Sequence, residues 1–178
     1  WASVRGPKHP ALKNPRLVRE WHPTKNGEPQ LDQMALSSAL KVWWKCDVAD
    51  DHEWQAALAN RTRFGHGCPC CSGRQVSVTN SLVSLYPEVA KEWHPTRNGD
   101  LTPADVVAGS GKKYWWKCPK GDDHEWQATS GSRTGSRGTG CSFCVNQQVS
   151  VTNSLASLFP EVAKEWHPTK NGDLTPAD

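Results

Sequence analysis

Methionine occurs once, tyrosine twice and phenylalanine three times in 178 residues. No stretch approaches the roughly 18 consecutive apolar residues of a membrane-crossing helix, so no membrane span is expected. The opening segment, Trp1 to Pro10, is polar and holds Pro7 and Pro10, which excludes a signal-peptide core there. Aliphatic residues are too sparse to build one large core of the usual kind, so stability must come from disulfides, a metal or stacked repeats. A net charge of only +3 excludes a strongly basic nucleic-acid arm. There is also no Ser/His/Asp arrangement, no phosphate-binding glycine fingerprint and no zinc-protease helix motif. The chain is therefore not expected to be an enzyme, although a longer parent protein could carry catalysis elsewhere. It opens without an initiator Met, which suggests a piece of something longer.

Against these shortages stand ten Trp and seven Cys. An internal repeat organises both. Glu20-Trp21-His22-Pro23-Thr24 returns as Glu92 to Thr96 and as Glu165 to Thr169, at spacings of 72 and 73 residues. Trp43-Trp44-Lys45-Cys46 returns as Trp115 to Cys118, and His52 to Ala56 as His124 to Ala128. The eight residues Gln75 to Leu82 return unchanged as Gln148 to Leu155. The pattern predicts two full units, 1–75 and 76–147, and a third that starts at 148 and runs to Asp178. Their net charges are +4, +1 and −2, uneven but not extreme.

Local signals predict small α+β units. Thr79, Asn80 or Ser81 can cap a short helix entering Leu82 to Leu85. Pro87 suits the first turn of a second helical stretch, Pro87 to Trp93. Asn98-Gly99 signals a turn. Lys113 to Cys118 alternates at strand spacing, with His124 to Ala128 as its hairpin partner. Trp44 and Trp116 then face one side of the hairpin, and Trp43 and Trp115 the other.

The repeat also sorts the cysteines. Cys46, His52, Cys68 and Cys71 match Cys118, His124, Cys141 and Cys144, and Cys70 is left over opposite Phe143. Each unit offers Cys-x5-His and then Cys-x2-Cys, the donors of a closed tetrahedral zinc site. A disulfide framework or inert thiols would explain the cysteines, but not the His at the same place in both units. Sharing of ligands across units would strand two half-sites, so one zinc ion per complete unit is expected. Such a site has no open position and is structural.

Other residues are open to two readings. A Trp exposed beside Lys41, Lys45, Lys112, Lys113 and Lys117 could stack on a base; the alternative is core packing. Arg61, Arg63 and Arg74, with Arg133 and Arg137 in unit two, lie in or beside Gly-containing loops suited to phosphate contact. The alternative is a solvated loop. His22, His94 and His167 are expected at helix C-termini rather than on metal. Asp50, Asp51 and Glu53, with Asp122, Asp123 and Glu125, could suggest a nuclease cluster; beside a zinc ligand they more simply support it.

Taken together, Trp-Trp-Lys-Cys, His-Glu-Trp and Arg61 to Cys71, with Glu-Trp-His-Pro and Asn-Gly upstream, resemble the zinc-ribbon, treble-clef-like repeat domain of unknown function. That family is known mostly from bacterial proteins, in tandem copies and sometimes beside nuclease-like domains. The resemblance implies zinc on the eight positions named above and a ribbon-like hairpin; it implies no tested activity. Unit one departs from it at Cys70, and unit two has Ser142 opposite Pro69. The expectation is a tandem zinc module that serves a larger cytoplasmic protein by contacting DNA, or RNA. A protein-interaction or spacer array, with a protein partner or further repeats, is the alternative.

Overall fold

The computed structural model describes residues 9–178. The chain divides into two compact units, Trp1–Asn80 and Ser81–Asp178. Among the described residues no helix is long and apolar enough to cross a membrane.

Unit one opens with a 3-10 turn, Pro10–Lys13, and helix α1, Pro15–Glu20. Asn14 caps α1: its side-chain oxygen accepts from the backbone N–H of Arg16 and Leu17, and Pro15 takes the first position, where no N–H is needed. Strands β1, Lys41–Lys45, and β2, Glu53–Ala57, pair antiparallel with Trp44 opposite Trp54. Helix α2, Leu58–Arg63, follows directly.

Unit two repeats the hairpin as β3, Lys113–Lys117, and β4, Glu125–Thr129, with Trp116 opposite Trp126. Helices α3, Leu82–Leu85, and α4, Pro87–Ala90, precede it, and α5, Ser130–Thr134, follows. Ser81 is the residue that caps α3, by accepting from Ser84 N–H. Helix α4 stops three residues short of the expected Trp93, because the backbone there turns to the sheet. Lys117 N–H donates to the Glu92 carbonyl, and Trp93 bridges to Trp116. The start of the third repeat copies this pair as α6, Leu155–Leu158, and α7, Pro160–Ala163.

Each core is small and aromatic. Trp44 and Trp116 are wholly buried, which is tolerable because each indole N–H donates to a carbonyl, Ala56 at 2.9 Å and Ala128 at 3.0 Å. Trp21 meets Trp44 edge to face at 5.4 Å, and Trp93 meets Trp116 at 5.5 Å. The other hairpin face carries Trp43 and Trp115, half-buried beneath Lys25 and Arg97. A short hairpin leaves an open edge, and an Asn blocks it in each unit. Asn26 accepts from Trp43 N–H and donates to Trp43 C=O, both at 2.8 Å, and Asn98 does the same to Trp115. The Asn-Gly signal thus marks more than a turn.

Candidate metal centre

The hairpin tip and the Cys-x2-Cys loop meet in both units. Cys46 follows β1 and His52 precedes β2, and the Cys46 N–H donates to the His52 carbonyl at 2.9 Å, so the tip holds both donors side by side. The second loop winds tightly, with Ser72 N–H on the Cys68 carbonyl and Arg74 N–H on the Pro69 carbonyl. It needs one left-handed residue to close. Gly73 takes it at φ +68° and Asn146, its counterpart, at φ +58°.

The result is two matching clusters, Cys46, His52, Cys68 and Cys71, then Cys118, His124, Cys141 and Cys144, each with donor atoms within 4.8 Å of one another. Tetrahedral zinc, with Zn–S of about 2.3 Å and Zn–N of about 2.0–2.1 Å, sets S···S near about 3.8 Å and S···N near about 3.6 Å. Cys46 Sγ and Cys71 Sγ lie 3.7 Å apart, as do Cys118 Sγ and Cys144 Sγ. The His52 Nδ1 lies 3.6 Å from Cys68 Sγ and 3.4 Å from Cys71 Sγ, and His124 Nδ1 lies 3.6 Å from both Cys141 Sγ and Cys144 Sγ. The donors therefore fit two zinc ions, one per unit, with each His facing the metal through Nδ1. No disulfide forms: all seven cysteines are free thiols.

Without a cation such a cluster resists ionisation. Desolvation, then the neighbouring thiols Cys46 and Cys68, push the Cys71 thiol up to about 12. Cys144 is pushed up to about 11 in the same way. Bound zinc holds the sulfurs as thiolates and cross-links hairpin to loop. The leftover Cys70 is buried, and burial followed by the charge of Cys68 raises it to about 11. It remains a neutral thiol beside the site. Its counterpart Phe143 instead stacks on the His124 ring at 5.0 Å.

The imidazole orientation has a cause that the sequence reading missed. His52 Nε2 lies 3.1 Å from Ser77 Oγ and 2.9 Å from Thr79 Oγ1. His124 Nε2 lies 3.0 Å from Ser150 Oγ and 2.8 Å from Thr152 Oγ1. With Nδ1 turned to the thiols, Nε2 carries the proton and the hydroxyls accept it, which fixes the tautomer. Asn80 ties this turn to the Cys-x2-Cys loop by donating to the Cys70 and Gln75 carbonyls. Asp51 holds it from the hairpin side by accepting from Val78 N–H at 2.8 Å, and Asp123 does so from Val151. The signal was present: an octapeptide repeated without change exceeds what a helix cap requires.

The acidic residues are bracing groups. Glu53 binds Lys25 and His22, and these two, the lysine first, hold its carboxyl down at about 2. Glu125 is lowered by Lys117 first and then by His94. His22 and His94 are not simply cations at a helix end. Each Nδ1 accepts two backbone N–H groups of the following turn, from Thr24 and Lys25 or from Thr96 and Arg97, which leaves Nε2–H toward Glu53 or Glu125. His167 caps its turn in the same way.

Of the ten basic residues expected on a nucleic acid, the structure corrects two outright. Arg61 and Arg133 are buried, with their guanidinium groups over Trp44 and Trp54 or Trp116 and Trp126, paired with Glu20 or Glu92. The sequence placed them in a surface loop; they lie on α2 and α5, which set them on the aromatic face of the hairpin. Lys45 and Lys117 are partly exposed but paired, with Asp50 and Glu53 or with Glu125. Lys41, Arg63, Arg74, Lys112, Lys113 and Arg137 are exposed.

A family model described as probable treble clef zinc finger domain matches residues 17–74 and again 89–147, more than half of the chain. The chain belongs to this family. Among curated proteins none matches it. The treble clef repeats, with two Cys3His clusters and two short hairpins, make the protein a tandem structural zinc module.

Proposed function

We propose that this tandem zinc module is an accessory nucleic-acid-binding region, chiefly for DNA, of a larger cytoplasmic protein whose catalysis, if any, lies elsewhere. Both clusters use four protein donors, so zinc here shapes the units and is not offered to a substrate. The observation that carries the reading is the sorting of the cations. Those near acids or aromatic cores are consumed internally, while Lys41, Arg63, Arg74, Lys112, Lys113 and Arg137 are exposed with no carboxylate partner among the described residues. Long cationic side chains left free suit phosphate, which they hold with little regard to sequence. Seven reduced thiols fit the reducing interior of a cell.

The test is a titration of zinc-loaded protein against single- and double-stranded DNA and RNA at rising salt. Binding should be weak and should fall steeply between low and moderate salt. Binding indifferent to salt, or equal in the zinc-free protein, would count against it.

A second reading rests on a different surface. In unit two, Leu158, Phe159, Val162 and Leu174 are each more than half exposed, an apolar group on the start of the third repeat. That surface favours a protein partner or a further repeat, and salt-insensitive association would support it.

A further inference from the structure

Unit one carries a groove of about 530 Å³ between the outer hairpin face and the loop that bears Cys68 and Cys71. That volume falls in the roughly 300–1,000 Å³ range of clefts that hold small ligands. Trp43 and Gln55 of the hairpin line it, together with His66, Gly67, Arg74 and Gln75 from the segment that follows α2. Arg74 differs from the arginines of the core. Its only side-chain partner among the described residues is the Ser72 hydroxyl, at 2.9 Å. Glu53 also borders the groove, but Lys25, Lys45 and His22 already hold its carboxylate.

The loop that brings His66 to the groove is equally unusual. Phe64 is 59% exposed, where a core aromatic would be buried. It stacks on His66 at 5.7 Å between ring centres, and the Arg63 guanidinium lies 5.4 Å from its ring. Gly65 sits between the two rings at φ +64°, a conformation that lets the loop turn both outward. Exposed flat rings beside free arginines match the chemistry of unstacked bases joined by phosphates. A duplex hides its base faces, so these rings gain nothing from it. The Gln55 and Gln75 amides offer donors and acceptors to a base edge.

We infer that this groove and the Arg63–His66 loop form a binding site for unpaired nucleotides, and that unit one alone carries it. The inference rests on the nucleic-acid reading above and narrows it to single strands. Unit two supplies an internal comparison. It keeps Trp115, Gln127 and Gln148, but has Gly135, Ser136, Thr139 and Gln147 where unit one has Arg63, Phe64, His66 and Arg74. Both aromatic rings of the loop are gone, and so are the arginines at positions 63 and 74; unit two has only the inserted Arg137 in that loop.

The comparison also designs the test. Phe64→Ser with His66→Thr gives unit one the residues that unit two already folds with, and zinc content confirms that both centres survive. The zinc-loaded full chain is titrated with labelled single-stranded DNA, single-stranded RNA and the matching DNA duplex. The double variant should bind both single strands about tenfold or more weakly, with duplex binding unchanged. Arg74→Ala should lower the salt slope on single strands by about 0.7. Ser136→Phe with Thr139→His and Gln147→Arg should strengthen single-strand binding. If the double variant binds like the parent chain while Lys112→Ala, Lys113→Ala and Arg137→Ala together abolish binding, the inference fails and the broader reading stands. If the parent chain binds none of the three nucleic acids, both fail.

Discussion

Glu20 closes on Arg61 across 41 residues of chain, and Glu92 closes on Arg133 across the same interval. In each case the guanidinium lies over two tryptophans, Trp44 and Trp54 or Trp116 and Trp126. The Glu of Glu-Trp-His-Pro therefore serves an arginine that looks, in sequence, like a surface cation.

Removing that arginine takes a partner from the carboxylate, a loss of about 3–5 kcal/mol where the pair is fully buried and no other partner remains. Arg61→Ala should lose part of that range, because Glu20 is only 6% exposed but keeps Arg16, whose Nε lies 3.0 Å from its Oε1. Arg133→Ala should cost less, because Glu92 is 29% exposed and water can replace the lost partner. Denaturant unfolding of the two zinc-loaded variants checks the order. Equal and small losses would contradict the core role.

Zinc removal should unfold both units. Structural zinc supplies roughly 10–16 kcal/mol of apparent binding free energy at neutral pH. The sparse aliphatic core gives little to fall back on. Chelation should abolish the near-UV circular dichroism of the buried tryptophans. An unchanged spectrum in fully metal-free protein would refute the structural role.

Acid should release the metal. Zinc takes thiolates, so metal-free thiols must give up their protons to it, and burial holds those of Cys71 and Cys144 up to about 12 and about 11. Each zinc must displace three of those protons, so affinity falls as pH falls. The expected slope is about three tenfold steps per pH unit per site. Chelator competition between pH 6.5 and 7.5 measures it. A slope near zero would mean that the thiolates do not hold the ion.

Much of this was legible in the residues, and the failures have one cause. The zinc donors and the hairpins announce themselves locally, through Cys-x2-Cys spacing and the period-two strand. The burial of Arg61 and Arg133 is hidden because it depends on Glu20 and Trp44, or Glu92 and Trp116, which lie far off in the chain, as well as on the nearer Trp54 or Trp126. Thr79 reads in sequence as a cap candidate, and Ser77 as nothing in particular, for the same reason: a hydroxyl caps a helix locally, whereas their reach to His52 spans 27 and 25 residues. Helix α4 ends early because Lys117 of strand β3, well beyond the helix in the chain, captures the Glu92 carbonyl.

That long reach sets a boundary that can be measured. The repeat arithmetic places the edge of the first unit at 75, but the hydroxyls that orient His52 lie at 77 and 79, and the compact unit runs through Asn80. A chain of residues 1–80 should bind one zinc ion and fold around it. A chain of residues 1–75 keeps all four donors but loses the Ser77 and Thr79 acceptors, the Asn80 tie and the Val78 partner of Asp51. Losing the groups that hold a ligating His typically weakens metal binding 10- to 100-fold. Ser77→Ala with Thr79→Val in the full chain should weaken one of the two sites by a similar factor and leave the other unchanged. Competition titration against a chelator compares all three. If residues 1–75 hold zinc as tightly as residues 1–80, the turn after the last cysteine is a linker, and the hydroxyls do not tune the centre.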